Sequence, residues 1–374
     1  VKSVRDKALG LVSDINKKHG EGSAMIAADI PLFPPISSGS LALDFAVGFG
    51  GMPSDRVMEI FGREGTGKTT LALLIMEQFL NAQPDRLAVI LDTEHKMSKG
   101  WLEQILPPGW LDSRVIYLQP NHIEQATNMY AQAVESGLVC FALLDSIGGS
   151  PTVRSNEDAE VGRVGGNSIG VGEFGRRAAN LSAKFRCLTV GVNQVRANMN
   201  PRAFADETPG GRAWRHACIL RIELVRGRDH QEAVVNGEKI RVGHTVAAKV
   251  RKNHLAPEGR TAFWWFYNVP TEDYGFGVDT LDEIARLGVL TQVVKLKGSW
   301  YHHPALPEYK DSGDHKVQGL PALKQLVRGD EALRKTLASE ILASIGDYSE
   351  QVAPISDPDA PVQVNSFLLT GEAS

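Results

Sequence analysis

Gly62-Arg63-Glu64-Gly65-Thr66-Gly67-Lys68-Thr69 decides the reading of this chain, because it fits the pattern G-x-x-x-x-G-K-[ST] in the setting that the pattern needs. Residues 56–61, Arg-Val-Met-Glu-Ile-Phe, read as a short strand running into the loop, and residues 68–80 as the helix leaving it. Glycines let backbone N–H groups close around phosphate oxygens, and the helix N-terminus adds a favourable dipole. Lys68 supplies a mobile positive charge for the β- and γ-phosphates, and Thr69 a hydroxyl for Mg²⁺. Glu64, Gly65, Thr66, Gly67 and Thr70 complete the candidate cradle. The other reading is an ordinary glycine-rich turn before a helix; the Lys-Thr pair and the upstream strand argue against it. The loop says nucleotide, not what the nucleotide's energy drives.

Working outward, 374 residues exceed one typical domain. A net charge of −4 excludes a global pull toward nucleic acid, so DNA binding would have to rest on local basic clusters. Cys140, Cys187 and Cys218 lie far apart in apolar runs with no C-x-x-C pair. That excludes a zinc module and suits small core residues in a reducing compartment. No apolar run approaches the roughly 18 residues of a membrane span. Val1 to Lys7 lack the apolar stretch of a secretory signal. The expectation is a cytoplasmic protein with no membrane segment.

Val4, Ala8, Leu11, Val12 and Ile15 make one face of a predicted helix over 3–20. Ile30-Pro31-Leu32-Phe33-Pro34-Pro35 is an extended tether, so residues 1–35 form a small unit whose apolar face must be buried against the main body or another copy. Residues 36–270 alternate strands (56–61, 87–91, 114–118, 138–144, 187–192, 217–225, 246–250) with helices (68–80, 98–105, 122–136, 172–184). Several strands are continuously apolar, as parallel strands covered on both faces should be, whereas the later ones look antiparallel or mixed. This predicts an α/β core with a central, mostly parallel twisted sheet. Residues 271–346 predict a small α+β domain: a short helix at 281–288, two short strands around Val293 and Trp300, and a helical stretch over 320–345. Residues 347–374, with Pro354, Pro358 and Pro361, read as a disordered tail.

Further polar residues close the apolar strands. Asp145 follows the run 139–144 and suits the Mg²⁺ shell, although an Asp-Ser pair also suits a helix cap. Glu94, just past the strand 87–91, suits the base that orients water; His95 beside it points the other way and reads as structural support. Gln194 ends a third strand and can register a γ-phosphate or merely terminate the strand. Two long aperiodic loops, about 157–172 and 195–211, carry glycine and arginine and suit a nucleic-acid backbone as well as they suit plain surface loops.

Beyond the loop, Ile36 to Asp44 with Gly50-Gly51-Met52-Pro53, then Asp92-Thr93-Glu94-His95, Leu144-Asp145-Ser146, Asn193-Gln194-Val195-Arg196, Thr208-Pro209-Gly210-Gly211, Lys249 to Asn253 and Gly298-Ser299-Trp300-Tyr301 form an ordered set. Through that set, residues 3–345 resemble the bacterial RecA recombinase family. The resemblance implies a RecA-type P-loop NTPase core with ATP and Mg²⁺ at subunit interfaces. It implies catalytic roles for Glu94, Lys68, Gln194 and Lys252, metal ligation at Thr69 and Asp145, and adenine stacking by Trp101. It implies that Arg163, Gly165 and Gly166 of the first loop, and Arg196, Asn198, Arg202, Phe204, Gly210, Gly211 and Arg212 at the second, hold single-stranded DNA. The N-terminal helix would dock on the neighbouring subunit of a helical homo-oligomeric filament.

The chain also departs from the family. Two lysines are usual where Lys252 and His254 stand; the resemblance would put His254 at the nucleotide, where it carries full charge only when protonated. His216 replaces an interface phenylalanine, the first loop is about two residues short, and the tail is only mildly acidic. These departures suit a divergent, even phage-encoded, member. The expected function is ATP-dependent pairing and strand exchange between single-stranded and homologous double-stranded DNA in recombination, repair and the SOS response. Lys295, Lys297, Lys310, Lys316 and Lys324 would attract the duplex or form a solvated face. A hexameric helicase and an ATP-switched DNA-bound scaffold are the alternatives; the tethered helix favours the filament and Glu94 argues against pure scaffolding.

Overall fold

The computed structural model describes residues 3–31, 33–152, 166–195, 208–235, 237–270, 276–310 and 312–344. The chain divides into two compact units, Val1–Pro34 and Pro35–Ser374. In the first, α1 (Val4–His19) starts at a capping box, in which the Ser3 hydroxyl accepts from the Asp6 N–H and Asp6 accepts from the Ser3 N–H. Lys17, Lys18 and His19 sit in its last turn, where the helix dipole favours cations. Asn16 ties down the returning chain through Ala24, accepting from its N–H at 2.7 Å and donating to its carbonyl at 3.0 Å. Val4 and Leu11 of the apolar stripe are exposed.

In the second unit the chain runs α2 (Leu41–Val47), β1 (Val57–Gly62), α3 (Lys68–Ala82), β2 (Leu87–Asp92), α4 (Lys99–Ile105), α5 (Trp110–Ser113), β3 (Val115–Leu118), α6 (Ile123–Glu135), β4 (Val139–Asp145), α7 (Gly166–Phe185), β5 (Leu188–Gln194) and α8 (Gly211–Ala217). Then follow β6 (Leu220–Val235), β7 (Glu238–Asn253), β8 (Thr261–Tyr267) and β9 (Gly277–Val278). One sheet holds these strands in the order β3-β2-β4-β5-β1-β6-β7-β8-β9. Neighbours from β3 to β6 are parallel, and from β6 to β9 antiparallel.

Side-chain alternation explains the apolar strands. Ala88 and Ile90 of β2 join a hydrophobic cluster with Leu71, Ile75 and Phe79 of α3, whereas Val89 and Leu91 join an opposite cluster with α6 and α7. There the Tyr130 and Phe174 rings meet edge to face, 5.2 Å apart. Because β4 and β5 fill the gap between β1 and β2, the C-terminal ends of these strands open on one crevice. Register brings Asp92 opposite Asp145 and Gly62 opposite Gln194. The three cysteines are buried and unpaired.

Several expectations need correction. The helix expected over 172–184 is α7, Gly166–Phe185, so Gly166, Gly170 and Gly172 of the expected first loop are helical. Glycine marks close packing there: a Cβ on Gly170 would lie 2.5 Å from Ile123 Cγ2. Gly211 likewise belongs to α8, which the sequence reading left in a loop. Strands β6 and β7 extend well beyond 217–225 and 246–250 as a long hairpin, and β8, with Ala262, Trp264 and Phe266 buried, was not anticipated.

Farther on, α9 (Thr280–Leu290) leads to a small antiparallel sheet of β10 (Lys295–Lys297), β11 (Trp300–His302) and β12 (Lys316–Gln318). The third strand was not expected. The single helical stretch over 320–345 is two helices, α10 (Leu320–Gly329) and α11 (Glu331–Ala343), because Asp330 adopts an extended backbone and caps α11 by accepting from the Leu333 N–H at 3.0 Å. Leu323, Val327, Leu337 and Ile341 join the same hydrophobic cluster as α2 and α3.

Candidate functional site

The loop between β1 and α3 closes over itself. Gly67 takes φ +84°, and a Cβ there would lie 2.6 Å from the Phe266 ring, so both conformation and contact demand glycine. Phe266 in turn packs beside His244, whose imidazole burial pushes down to about 4. Thr66 Oγ1 and Lys68 Nζ both donate to the Arg63 carbonyl, at 2.9 and 2.8 Å. Burial lowers the pKa of Lys68, partly offset by Asp145, Glu64 and Glu94. Its ammonium thus sits folded over the cradle. Glu64 and Gly65 are exposed at the loop's crest, and Thr70 is buried behind it.

Thr69 Oγ1 donates to Asp145 Oδ2 at 2.6 Å. Burial pushes the Asp145 carboxyl up to about 6, with Glu94 and Asp92 adding to the rise. A hydroxyl and a carboxylate in an acidic crevice suit a hard cation that takes its remaining ligands from phosphate and water. No cluster of three or more His, Cys, Asp or Glu side chains suited to a metal occurs among the described residues, so a cation here would need phosphate oxygens. The Asp145–Ser146 peptide is cis.

Glu94 stands at the mouth of this crevice. One carboxylate oxygen accepts from the Ser146 hydroxyl and the other pairs with Lys96. Burial would raise the Glu94 pKa, but Lys96 and Ser146 outweigh it and hold the carboxyl below its ordinary range. Asp92 organises the turn that carries Glu94, accepting from the Glu94 and Met97 N–H groups at 3.0 Å and from the Tyr117 hydroxyl at 2.6 Å. His95 is exposed with φ +54°. Trp101 is half-buried and packs against the hydrophobic cluster.

Gln194 is exposed beside Gly62. Asn193 before it, quoted in the sequence motif but given no role there, is fully buried and donates to Glu59 Oε1 at 2.7 Å and to the Pro209 carbonyl at 2.9 Å. Arg221 completes the network, pairing with Glu59 at 2.5 Å, donating to Thr208 Oγ1 at 3.0 Å and covering the Phe61 ring. The only local signal for Asn193 was a polar residue closing an apolar strand. Beyond it, Gly210 (φ +98°) caps α8, Arg212 is exposed, and Trp214 is buried against Phe174. Arg163, Gly165, Arg196, Asn198, Arg202 and Phe204 lie outside the described residues.

Lys252 is engaged at the C-terminal end of α8 in its own chain. Its ammonium donates to the carbonyls of Cys218 at 2.6 Å, Arg215 at 2.8 Å and His216 at 3.4 Å, around the C-terminus of α8. His254 is exposed two residues on. In the C-terminal part Lys324 pairs with Asp282, and Lys316 pairs with Asp314 at 2.6 Å while covering the Trp300 ring.

Strand, glycine loop, helix and the acids at neighbouring strand ends define the class: a RecA-type P-loop α/β core. Residues 7–267 match the family described as the RecA N-terminal domain. The chain is 32% identical to Protein RecA of Thermotoga neapolitana over 311 residues, covering 82% of this chain and 83% of that protein. It is 30% identical to Protein RecA of Porphyromonas gingivalis over 344 residues (88% and 92%). With Protein RecA of Staphylococcus carnosus it shares 29% over 372 residues (96% of each). The chain belongs to the RecA family of recombinases. No helix among the described residues is long and apolar enough to cross a membrane.

Proposed function

We propose that this protein is an ATP-dependent recombinase that forms helical filaments on single-stranded DNA and exchanges strands with a homologous duplex, hydrolysing ATP between subunits. One observation carries the reading: Gln194 stands in register with Gly62, at the entrance of the glycine loop, while its neighbour Asn193 is tied to Pro209 at the far end of the segment 195–211. The group that would register a terminal phosphate is therefore continuous with both ends of a candidate DNA-binding loop.

The division of labour follows from the side chains. Lys68 would leave the Arg63 carbonyl for the β- and γ-phosphates. Thr69 and Asp145, together with phosphate, would hold Mg²⁺, which would supply positive charge at the phosphoryl oxygens. Glu94 would accept a proton from the attacking water. Trp101 would stack on adenine, which requires its ring to offer a face beyond its core contacts. Lys252 and His254 would serve the site of the adjacent subunit. Arg163, Gly165, Gly166, Arg196, Asn198, Arg202, Phe204, Gly210, Gly211 and Arg212 would contact single-stranded DNA. Residues 1–35, 36–270 and 271–346 would act as arm, ATPase core and C-terminal domain, in the cytoplasm.

The test is an exchange assay with circular single-stranded DNA and a homologous linear duplex. Joint molecules are expected with ATP and none for Lys68→Ala. Unwinding of a forked duplex without a homologous partner, and no joint molecules, would favour the helicase reading.

A further inference from the structure

Lys96 lies two residues beyond Glu94, and no role above uses it. Its ammonium holds one oxygen of Glu94 while Ser146 holds the other, so both oxygens of the carboxylate best placed to orient water are engaged within the chain. The Lys96 side chain is 67% exposed, so packing does not trap the pair, and a lysine stem can swing without disturbing the core. Its charge also reaches across the mouth of the cradle. Glu64 on the crest of the glycine loop and Asp145 at the end of β4 both favour the charged ammonium, and the ammonium in turn disfavours charge on Lys68. These groups surround the phosphate end of the loop. Exposed ion pairs are weak, and a terminal phosphate, carrying more charge than a carboxylate, competes well for the same ammonium.

We propose that Lys96 is a cation of the nucleotide site that exchanges Glu94 for the terminal phosphate of a nucleoside triphosphate. Its departure frees one Glu94 oxygen to accept from water. The inference rests on the nucleotide reading above and deepens it. A diphosphate lacks the group that Lys96 takes, so this residue contributes to telling triphosphate from diphosphate and leaves Glu94 engaged when only the diphosphate is bound. Ser146 keeps the carboxylate oriented throughout.

The test is calorimetric titration of the full chain, with Mg²⁺, by a non-hydrolysable ATP analogue and by ADP. Lys96→Met is expected to weaken the analogue about tenfold and to leave ADP within about twofold, while Lys96→Arg restores most of the loss. An unchanged ratio of the two affinities, or an equal loss for both ligands, overturns the role of Lys96. If the parent chain binds neither ligand, or Lys68→Ala binds as the parent does, the nucleotide reading itself falls and Lys96 with it.

Discussion

Asn193 Nδ2 donates to Glu59 Oε1 at 2.7 Å, joining the strand that ends at Gln194 to the strand that runs into the glycine loop. The same amide donates to the Pro209 carbonyl, and Arg221 bridges Glu59 to Thr208. These bonds link both strand ends to residues 208–211, and Glu59 and Asn193 are fully buried, so a rearrangement at either strand end is expected to be felt there. Replacing Asn193 by Ala leaves a buried carboxylate and a carbonyl short of a donor. It is expected to cost about 1–3 kcal/mol of stability and to lower DNA-stimulated ATP turnover more than basal turnover. Urea titration and ATPase assays with and without single-stranded DNA measure both. Equal loss of basal and stimulated rates would mean that the network supports the fold alone.

Thr69 and Asp145 make one hydrogen-bonded pair facing the crevice. Asp145→Asn keeps the shape and removes the charge. The expectation is ATP hydrolysis reduced by roughly a hundredfold or more, with a higher Mg²⁺ concentration needed for half-maximal rate. A Mg²⁺ titration of the steady-state rate checks it, and an unchanged midpoint would remove Asp145 from the metal's surroundings.

Lys252 caps α8 in its own chain and is proposed to act in the site of the next. A site split in this way allows complementation. Lys68→Ala and Lys252→Ala, each inactive alone, should regain about a quarter of the parent rate when mixed equally, the fraction of head-to-tail interfaces that pair an intact loop with an intact lysine. No recovery in mixtures that still co-assemble would place both residues in one subunit's site.

Glu283 offers a pH test of how α9 is held. It is buried, accepting from the Ser40 hydroxyl at 2.6 Å and from the Ala42 N–H at 3.3 Å, and burial pushes its carboxyl from 4.5 up to about 8. Asp44 and Asp279 add to the rise. Between those values the folded chain holds a proton that the unfolded chain releases. The stability so gained is complete below about pH 4.5 and is lost as pH climbs through about 8. Glu283→Gln should flatten this decline, which amounts to a few kcal/mol in the parent. Urea midpoints from pH 5 to 9 measure it, and parallel curves for the two proteins would contradict the assignment.

Much of this architecture was legible because its signals are local. The glycine loop carries its chemistry within eight consecutive residues, and Glu94, Asp145 and Gln194 close apolar runs whose length gives the strands away. Asn193 and Glu59 are separated by 134 positions, and Glu283 and Ser40 by 243, so no periodicity could pair them. Gly170 misled for a different reason: glycine marks both loose loops and tight helix contacts, and only the neighbouring Ile123 methyl tells which. The pairing of Lys96 with Glu94 has no sequence signal either, because a lysine just past a strand end most often faces solvent.

Electron cryo-microscopy of the full chain, assembled on single-stranded DNA with a non-hydrolysable ATP analogue, would show where each nucleotide sits between subunits. Helical filaments are expected in which each nucleotide lies between the Lys68 loop of one subunit and Lys252 of the next, with DNA along the axis beside residues 195–211. Closed rings, or nucleotide enclosed within single subunits far from any neighbour's Lys252, would contradict this arrangement.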